Sequence, residues 1–181
     1  MTWIVLIVVA IVILLIALYN GLVQLRVRSE NAWSDVDVQL KRRHDLIPNL
    51  VETVKGYAVH EKDTFESVTR WRSAAVSATA PDARVQAESQ LTGALRQLLA
   101  VAENYPQLRA SEQFLSLQQA LQQIEEALQN ARRYYNAVVR DYNTRIQTFP
   151  AVLIAGPMGF QVKHFFEVSA PEERESSQVK F

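Results

Sequence analysis

Phe114 to Phe149 reads FLSLQQALQQIEEALQNARRYYNAVVRDYNTRIQTF. Phe114, Leu117, Leu121, Ile124, Leu128, Ala131, Tyr135, Val138, Tyr142, Ile146 and Phe149 recur at steps of three and four. A helix turns about 100° per residue, so these steps lay the apolar side chains on one stripe. The glutamines between Gln113 and Gln129 are solvated helix formers on the other faces. A near-continuous a/d seam of this length needs other helices to cover it, which predicts a helical bundle.

Working backward, the pattern stays helical. Gly21, Gly56 and Gly93 are the only glycines between Gly21 and Phe149, and no alternating strand pattern is bounded by turn residues. A first helix carries Leu22, Leu25, Trp33, Val36, Leu40, Ile47, Leu50, Val54 and Tyr57 on its apolar stripe. Gly56 is its stop. Pro48 lies inside it, removes one backbone donor and crowds the carbonyl of His44, so a kink or local break is expected. A second helix fits Glu61 to about Ala78, with Phe65, Val68, Arg72 and Ala75 facing in and Glu61 and Asp63 complementing the dipole. Thr79-x-x-Asp82 with Pro81 resembles a capped start for a third helix reaching about Glu103, with Leu91, Ala94, Leu98, Val101 and Tyr105 inside. Pro106 breaks the pattern before the fourth.

Short connections make neighbours antiparallel. The expected fold class is therefore all-α, with an antiparallel four-helix bundle over residues 25–149 behind an N-terminal transmembrane helix. The first helix spans ~57 Å beyond the membrane, the second and third ~27 and ~33 Å, and the fourth ~64 Å. The middle pair cancel, so Phe149 should return to the membrane-proximal end.

The anchor is residues 1–24. Trp3 to Leu18 are sixteen apolar residues in a row, and no charged side chain precedes Arg26. A helix from Thr2 to Tyr19 reaches ~27 Å, close to a ~30 Å hydrocarbon core. Trp3 and Tyr19 stand at its ends, where amphipathic rings favour the headgroup level. A cleaved signal peptide would carry a basic start and a small-x-small site; here neither is present. Arg26, Arg28, Lys41, Arg42 and Arg43 follow the span and none precedes it, which places the N-terminus outside and the bulk in the cytoplasm.

Composition narrows the chemistry. The chain has 181 residues, 19 basic and 19 acidic, and a formal net charge of zero. Nucleic-acid binding, which needs a basic surplus, is not expected. With no cysteine, disulfides, thiolate nucleophiles and Cys-ligated metals are excluded. Five glycines leave no phosphate-cradling loop. The chain has no Glu-x-x-His for a di-metal bundle site, and His60-Glu61 lacks the second histidine of a zinc motif. No cofactor or metal is expected.

Asp37, Lys41, Arg42, Arg43, His44 and Asp45 form the most suggestive cluster. Three readings compete: ion pairs along a bundle stripe, a docking surface for an acidic partner, or a carboxylate–histidine site on His44. Tyr135, Tyr142 and Trp33 fall on apolar stripes and read as core. Asn31, Asn49, Asn136 and Asn143 read as interhelical hydrogen bonds that fix register. After Phe149, residues 150–170 are too apolar for a free tail. They either pack at the bundle base or dip into the lipid interface, with Phe160, Phe165 and Phe166 as membrane contacts. Residues 171–181 are polar and expected to be disordered.

These stretches resemble the LemA family of bacterial membrane-anchored proteins. The resemblance rests on Tyr19 to Arg26 (YNGLVQLR), Asn31 to Tyr57 (NAWSDVDVQLKRRHDLIPNLVETVKGY), Ala131 to Asn136 (ARRYYN), Tyr142 to Pro150 (YNTRIQTFP), and the tail residues Ile154-Ala-Gly, Gly159-Phe160 and Phe165-Phe-Glu167. Pro150-Ala-Val departs from the Pro-Ser-Asn that is common in the family, and Pro157 interrupts the apolar tail. The resemblance implies a single anchor, a cytoplasmic four-helix bundle and no established enzymatic activity. A magnetosome-forming relative suggests a role in organising a specialised membrane. The expectation is a non-enzymatic scaffold or interaction platform at the inner membrane, touching the lipid bilayer, another membrane or cytoplasmic protein, or its own copies. The alternative is an adaptor of a membrane protease or transporter.

Overall fold

The computed structural model describes residues 1–166; residues 167–181, and with them the segment 171–181, lie outside the described residues. Among the described residues the structure is all-helical and has no strand. The elements are α1 (Thr2–Lys55), α2 (Lys62–Ser77), α3 (Pro81–Glu103), α4 (Pro106–Arg109), α5 (Glu112–Gln147) and α6 (Val152–Ala155).

The helices start and stop for local reasons. α1 gives way at Gly56, and the turn that follows carries Ala58 into the core. Asp63 lies in the first turn of α2, whereas Glu61 occupies the N-cap position without a side-chain hydrogen bond. α3 begins with Pro81 at its first position and Asp82 in its first turn; Ala80, not Thr79, is the N-cap residue. Proline with its fixed φ suffices to open a helix there. Pro106 opens the one-turn helix α4, which periodicity could not reveal because four residues are barely one turn. α5 ends at Gln147, two residues short of the seam's last member. Pro150 disfavours helical backbone at Phe149, whose ring is 78% exposed instead of closing the seam.

Pro48 leaves α1 unbroken, contrary to a local break. Proline lacks the N–H that would bond the carbonyl four residues earlier, which belongs to His44. Arg72 of α2 donates from Nε to that oxygen at 2.7 Å. The orphaned acceptor is thus satisfied from another helix.

The chain divides into two compact units. In one, Gln39–Ala127, the core gathers Ile47, Leu50, Val54, Phe65, Val68, Leu91, Leu98, Leu108 and Leu121. α2 packs along α3 within it. Each large side chain fully buried there contributes ~1.5–3 kcal/mol of transfer free energy.

The other unit joins Met1–Val38 with Leu128–Phe165. Its buried apolar side chains include Leu18, Ala32, Val36, Leu128, Tyr135, Val138 and Val139, and one cluster joins Leu22, Tyr142, Ile146, Ala151, Ala155 and Phe160. α1 begins here as a bare apolar helix. The large side chains from Trp3 to Ile16 are 42–77% exposed, and burial starts only at Leu18 and Leu22. α1 is long and apolar enough to cross a membrane.

Candidate functional site

The charged run on α1 divides by direction. Lys41, Arg42 and Asp45 are exposed and Asp37 is half-buried. Arg43 and His44 point inward. A buried guanidinium needs compensation on every side, because an uncompensated charge in the interior costs several kcal/mol. Glu88 of α3, itself fully buried, supplies most of it.

Arg43 Nη1 lies 3.2 Å from Glu88 Oε2, and Nη2 donates to Thr92 Oγ1 at 2.8 Å. Its Nε lies 2.8 Å from Glu125 Oε1, which keeps partial access to water. Thr92 Oγ1 in turn donates to the Glu88 carbonyl at 2.9 Å. The second carboxylate oxygen of Glu88 sits 2.7 Å from His44 Nε2. Both oxygens of Glu88 are therefore engaged. A carboxylate with no accessible surface and no free oxygen cannot meet a substrate. What this arrangement can do is fix register: three helices, α1, α3 and α5, meet at one guanidinium whose fork tolerates only one arrangement.

Of the six residues read as a candidate interaction surface, two are buried. Arg43 and His44 leave the surface because Glu88 draws them in. Lys41, Arg42 and Asp45 are the members that face solvent. Among the described residues no group of three or more His, Cys, Asp or Glu is placed to hold a metal ion.

A second constellation gathers where the bare part of α1 ends. The chain after α5 doubles back, and α6 buries Ala155 while Val152 and Leu153 stay exposed. Gly159 follows with φ +73°, a left-handed backbone that glycine adopts without strain. Arg26 Nη2 donates to the Gly159 carbonyl at 3.1 Å, and its guanidinium stacks 4.1 Å from the Phe160 ring centroid. The Tyr19 ring meets the same phenyl edge-on, at 5.9 Å.

Further along, Asn143 of α5 holds the backbone of Lys163 twice. Its Nδ2 donates to the Lys163 carbonyl at 2.8 Å, and its Oδ1 accepts from the Lys163 N–H at 2.9 Å. Tyr135 Oη donates to the His164 carbonyl at 2.9 Å. Burial raises the Tyr135 hydroxyl above its ordinary value, which keeps it protonated and donating. Lys163 Nζ reaches Glu30 of α1 at 3.3 Å. The asparagine expected to bridge helices thus bridges a helix to the tail. Asn31 and Asn49 are exposed and Asn136 is half-buried.

The residues expected at a membrane surface divide as well. Trp3 and Tyr19 are exposed on α1, and Phe165 is exposed on the tail. Phe160, at 5% exposure, and Phe166 are buried instead. Trp33 rests edge-on against Tyr135 at 5.2 Å, as core aromatics do.

The family model described as the LemA family matches residues 32–181. The chain is similar to Protein LemA of Metamycoplasma hominis, at 26% identity over 147 residues, which is 79% of this chain and 66% of that protein. It is similar to Magnetosome protein MamQ of Magnetospirillum gryphiswaldense, at 25% identity over 189 residues, 90% of this chain and 70% of that protein. Magnetosome protein MamQ 2 of Paramagnetospirillum magneticum is 25% identical over 186 residues, 88% and 68% of the two lengths. The chain spans about two thirds of the length of these relatives, just under that share for the first.

Proposed function

The chain belongs to the LemA family, and from that premise we propose that it is a single-pass membrane protein acting as a non-enzymatic helical platform. One observation carries the reading. Within one uninterrupted helix, α1, an apolar run exposed from Trp3 to Ala17 passes into a segment whose apolar stripe is buried. In water the exposed run would be a severe solubility liability; in lipid it is an ordinary span. The same helix then carries the packed residues Leu40, Ile47 and Leu50.

In this reading residues 25–149 form an antiparallel four-helix bundle. Support comes from the pairing order of α1 and α5: Trp33 meets Tyr135, while Leu22 shares a cluster with Tyr142 and Ile146. The basic residues after the span support an inner-membrane protein with its N-terminus outside and the bundle in the cytoplasm. The name of the MamQ relatives supports a platform serving a specialised membrane.

The missing cysteines make the test clean. Thr2→Cys should react with an impermeant maleimide in intact spheroplasts, and Gln118→Cys only after permeabilisation. Labelling of Gln118→Cys from outside would reverse the orientation. Recovery of the chain in the supernatant after alkaline carbonate extraction would remove the anchor.

A second reading, an adaptor of a membrane protease or transporter, is favoured by the exposed Lys41, Arg42 and Asp45. A photocrosslinker at Arg42 should then capture one other membrane protein. Capture of this chain's own copies alone would support the platform instead.

A further inference from the structure

The tail buries Phe160 and Phe166, two of the three phenylalanines that its sequence offers to lipid, and exposes other apolar side chains besides Phe165. Phe160 is held inward by Tyr19 and Arg26. Phe149 is bare, and Leu153 and Met158 are 66% and 55% exposed, with Val152 beside them. The segment from Phe149 to Met158 is therefore two-sided, with Ala151, Ile154 and Ala155 packed on Leu22, Val23 and Leu25 and an apolar face turned away.

We propose that this face, Phe149, Val152, Leu153 and Met158, docks into the headgroup–acyl boundary of the cytoplasmic leaflet as a second membrane contact. The inference rests on the anchored orientation proposed above. Three observations converge on lipid as the occupant.

The first is continuity. The tail is fastened to α1 between Tyr19 and Arg26, directly after the exposed apolar run. That interval is ~10 Å of helix, comparable with the ~5–7 Å headgroup layer of one leaflet. The second is rigidity. The tail backbone is held at Gly159, Lys163 and His164 by Arg26, Asn143 and Tyr135. An apolar face held at that level cannot retreat from the membrane surface. The third is charge. No Asp or Glu stands between Asp141 and Glu167, while Arg145 and Lys163 do. A segment without carboxylates suits an anionic leaflet.

The test uses the full chain in liposomes of phosphatidylethanolamine and phosphatidylglycerol. Single-cysteine variants Leu153→Cys and Met158→Cys carry a nitroxide, with Val9→Cys in the apolar run and Thr144→Cys on α5 as references. Collision rates with oxygen, which concentrates in lipid, are compared with those of a water-soluble nickel chelate. Labels at 153 and 158 should favour oxygen several-fold over the label at 144, and less than the label at 9. If 153 and 158 behave like 144 while 9 remains in lipid, the tail contact is overturned and the anchor stands. If 9 also behaves as aqueous, the anchor falls and the tail contact with it. Strong dipolar broadening between labels at 153, without the oxygen preference, would assign the face to a second copy and overturn the proposal. Both positions are exposed, so the labels leave the packing undisturbed.

Discussion

Each of the two units has its own apolar core and adds polar contacts of a different kind to it. Gln39–Ala127 has a broad aliphatic core and one buried cluster of charges, Arg43, His44 and Glu88. Met1–Val38 with Leu128–Phe165 also buries aliphatic side chains, Val36, Leu128, Val138 and Val139 among them, and adds aromatic rings, a cation over a ring, and hydrogen bonds to tail backbone. The first can bury a charge because the surrounding apolar area outweighs the desolvation cost. The second leaves its longest apolar stretch, from Trp3 to Ile16, outside its own packing. Polar clamps there hold the tail backbone at Lys163 and His164. The difference teaches where directional contacts are needed: apolar packing joins helices in both units, whereas the irregular tail is fastened through its backbone.

The largest expected effect lies in the charge cluster. Glu88→Ala removes the buried carboxylate from both Arg43 and His44, leaving Arg43 only Thr92 and the half-exposed Glu125, and should cost ~3–5 kcal/mol. Urea denaturation of the detergent-solubilised chain, followed by circular dichroism, measures it. Hydrogen exchange should rise across residues 39–127. Arg43→Met combined with Glu88→Leu should recover most of the loss, because a packed apolar pair replaces the ions. A loss under ~1 kcal/mol for Glu88→Ala, the range of an exposed pair, would mean that the cluster is solvated and the contrast between the units is wrong.

Next comes the proline in α1. Arg72→Met removes the donor that satisfies the His44 carbonyl, at an expected cost of ~1.5–3 kcal/mol for a charge-assisted bond. Pro48→Ala restores the helical N–H. In that background Arg72→Met should cost markedly less, giving a coupling of ~1 kcal/mol or more in a double-mutant cycle. Additive effects would show that Arg72 serves some purpose other than this carbonyl.

Much of this architecture is legible in the sequence. The apolar run from Trp3, the stop at Gly56 and the opening prolines Pro81 and Pro106 are strong local signals, and α1, α2, α3 and α5 follow them. The charge cluster is legible too, though under a misleading grouping. Arg43 stands at 36-40-43-47-50-54, a perfect alternation of fours and threes with Val36, Leu40, Ile47, Leu50 and Val54. Grouping it with Lys41 and Arg42 as a basic run hides that seam position. Glu88 likewise stands three before Leu91 on the inward stripe of α3. A charge on an apolar stripe announces a partner, but sequence alone cannot match two such charges 45 residues apart. The tail clamps are not legible at all. Asn143 recognises backbone groups, and backbone carries no sequence signature.

That clamp gives a smaller, local prediction. Asn143→Ala removes both bonds to Lys163 and should cost ~1–2 kcal/mol, near the net value of two neutral hydrogen bonds. Exchange should rise at residues 159–164 while residues 39–127 stay protected. Loosening of the aliphatic core by this change would break the contrast between the units.

The smallest effect belongs to Tyr135 and appears only in alkali. Its hydroxyl is raised above the ordinary 10.0 because burial disfavours the phenolate. Between 10.0 and the higher folded value, the unfolded chain has already released a proton that the folded chain keeps. Stability must therefore fall as pH rises through that window, and it is fully present below it. Deprotonation also converts the donor to the His164 carbonyl into an acceptor facing an acceptor, so the tail should loosen first. Exchange rates at such pH are too fast to follow, but a nitroxide at Val162 reports the same release through its mobility. With Tyr135→Phe the bond is absent at every pH. That variant should show a slightly more mobile label at neutral pH and lose the part of the alkaline transition that Tyr135 contributes. A transition of unchanged size would show that Tyr135 contributes nothing to it.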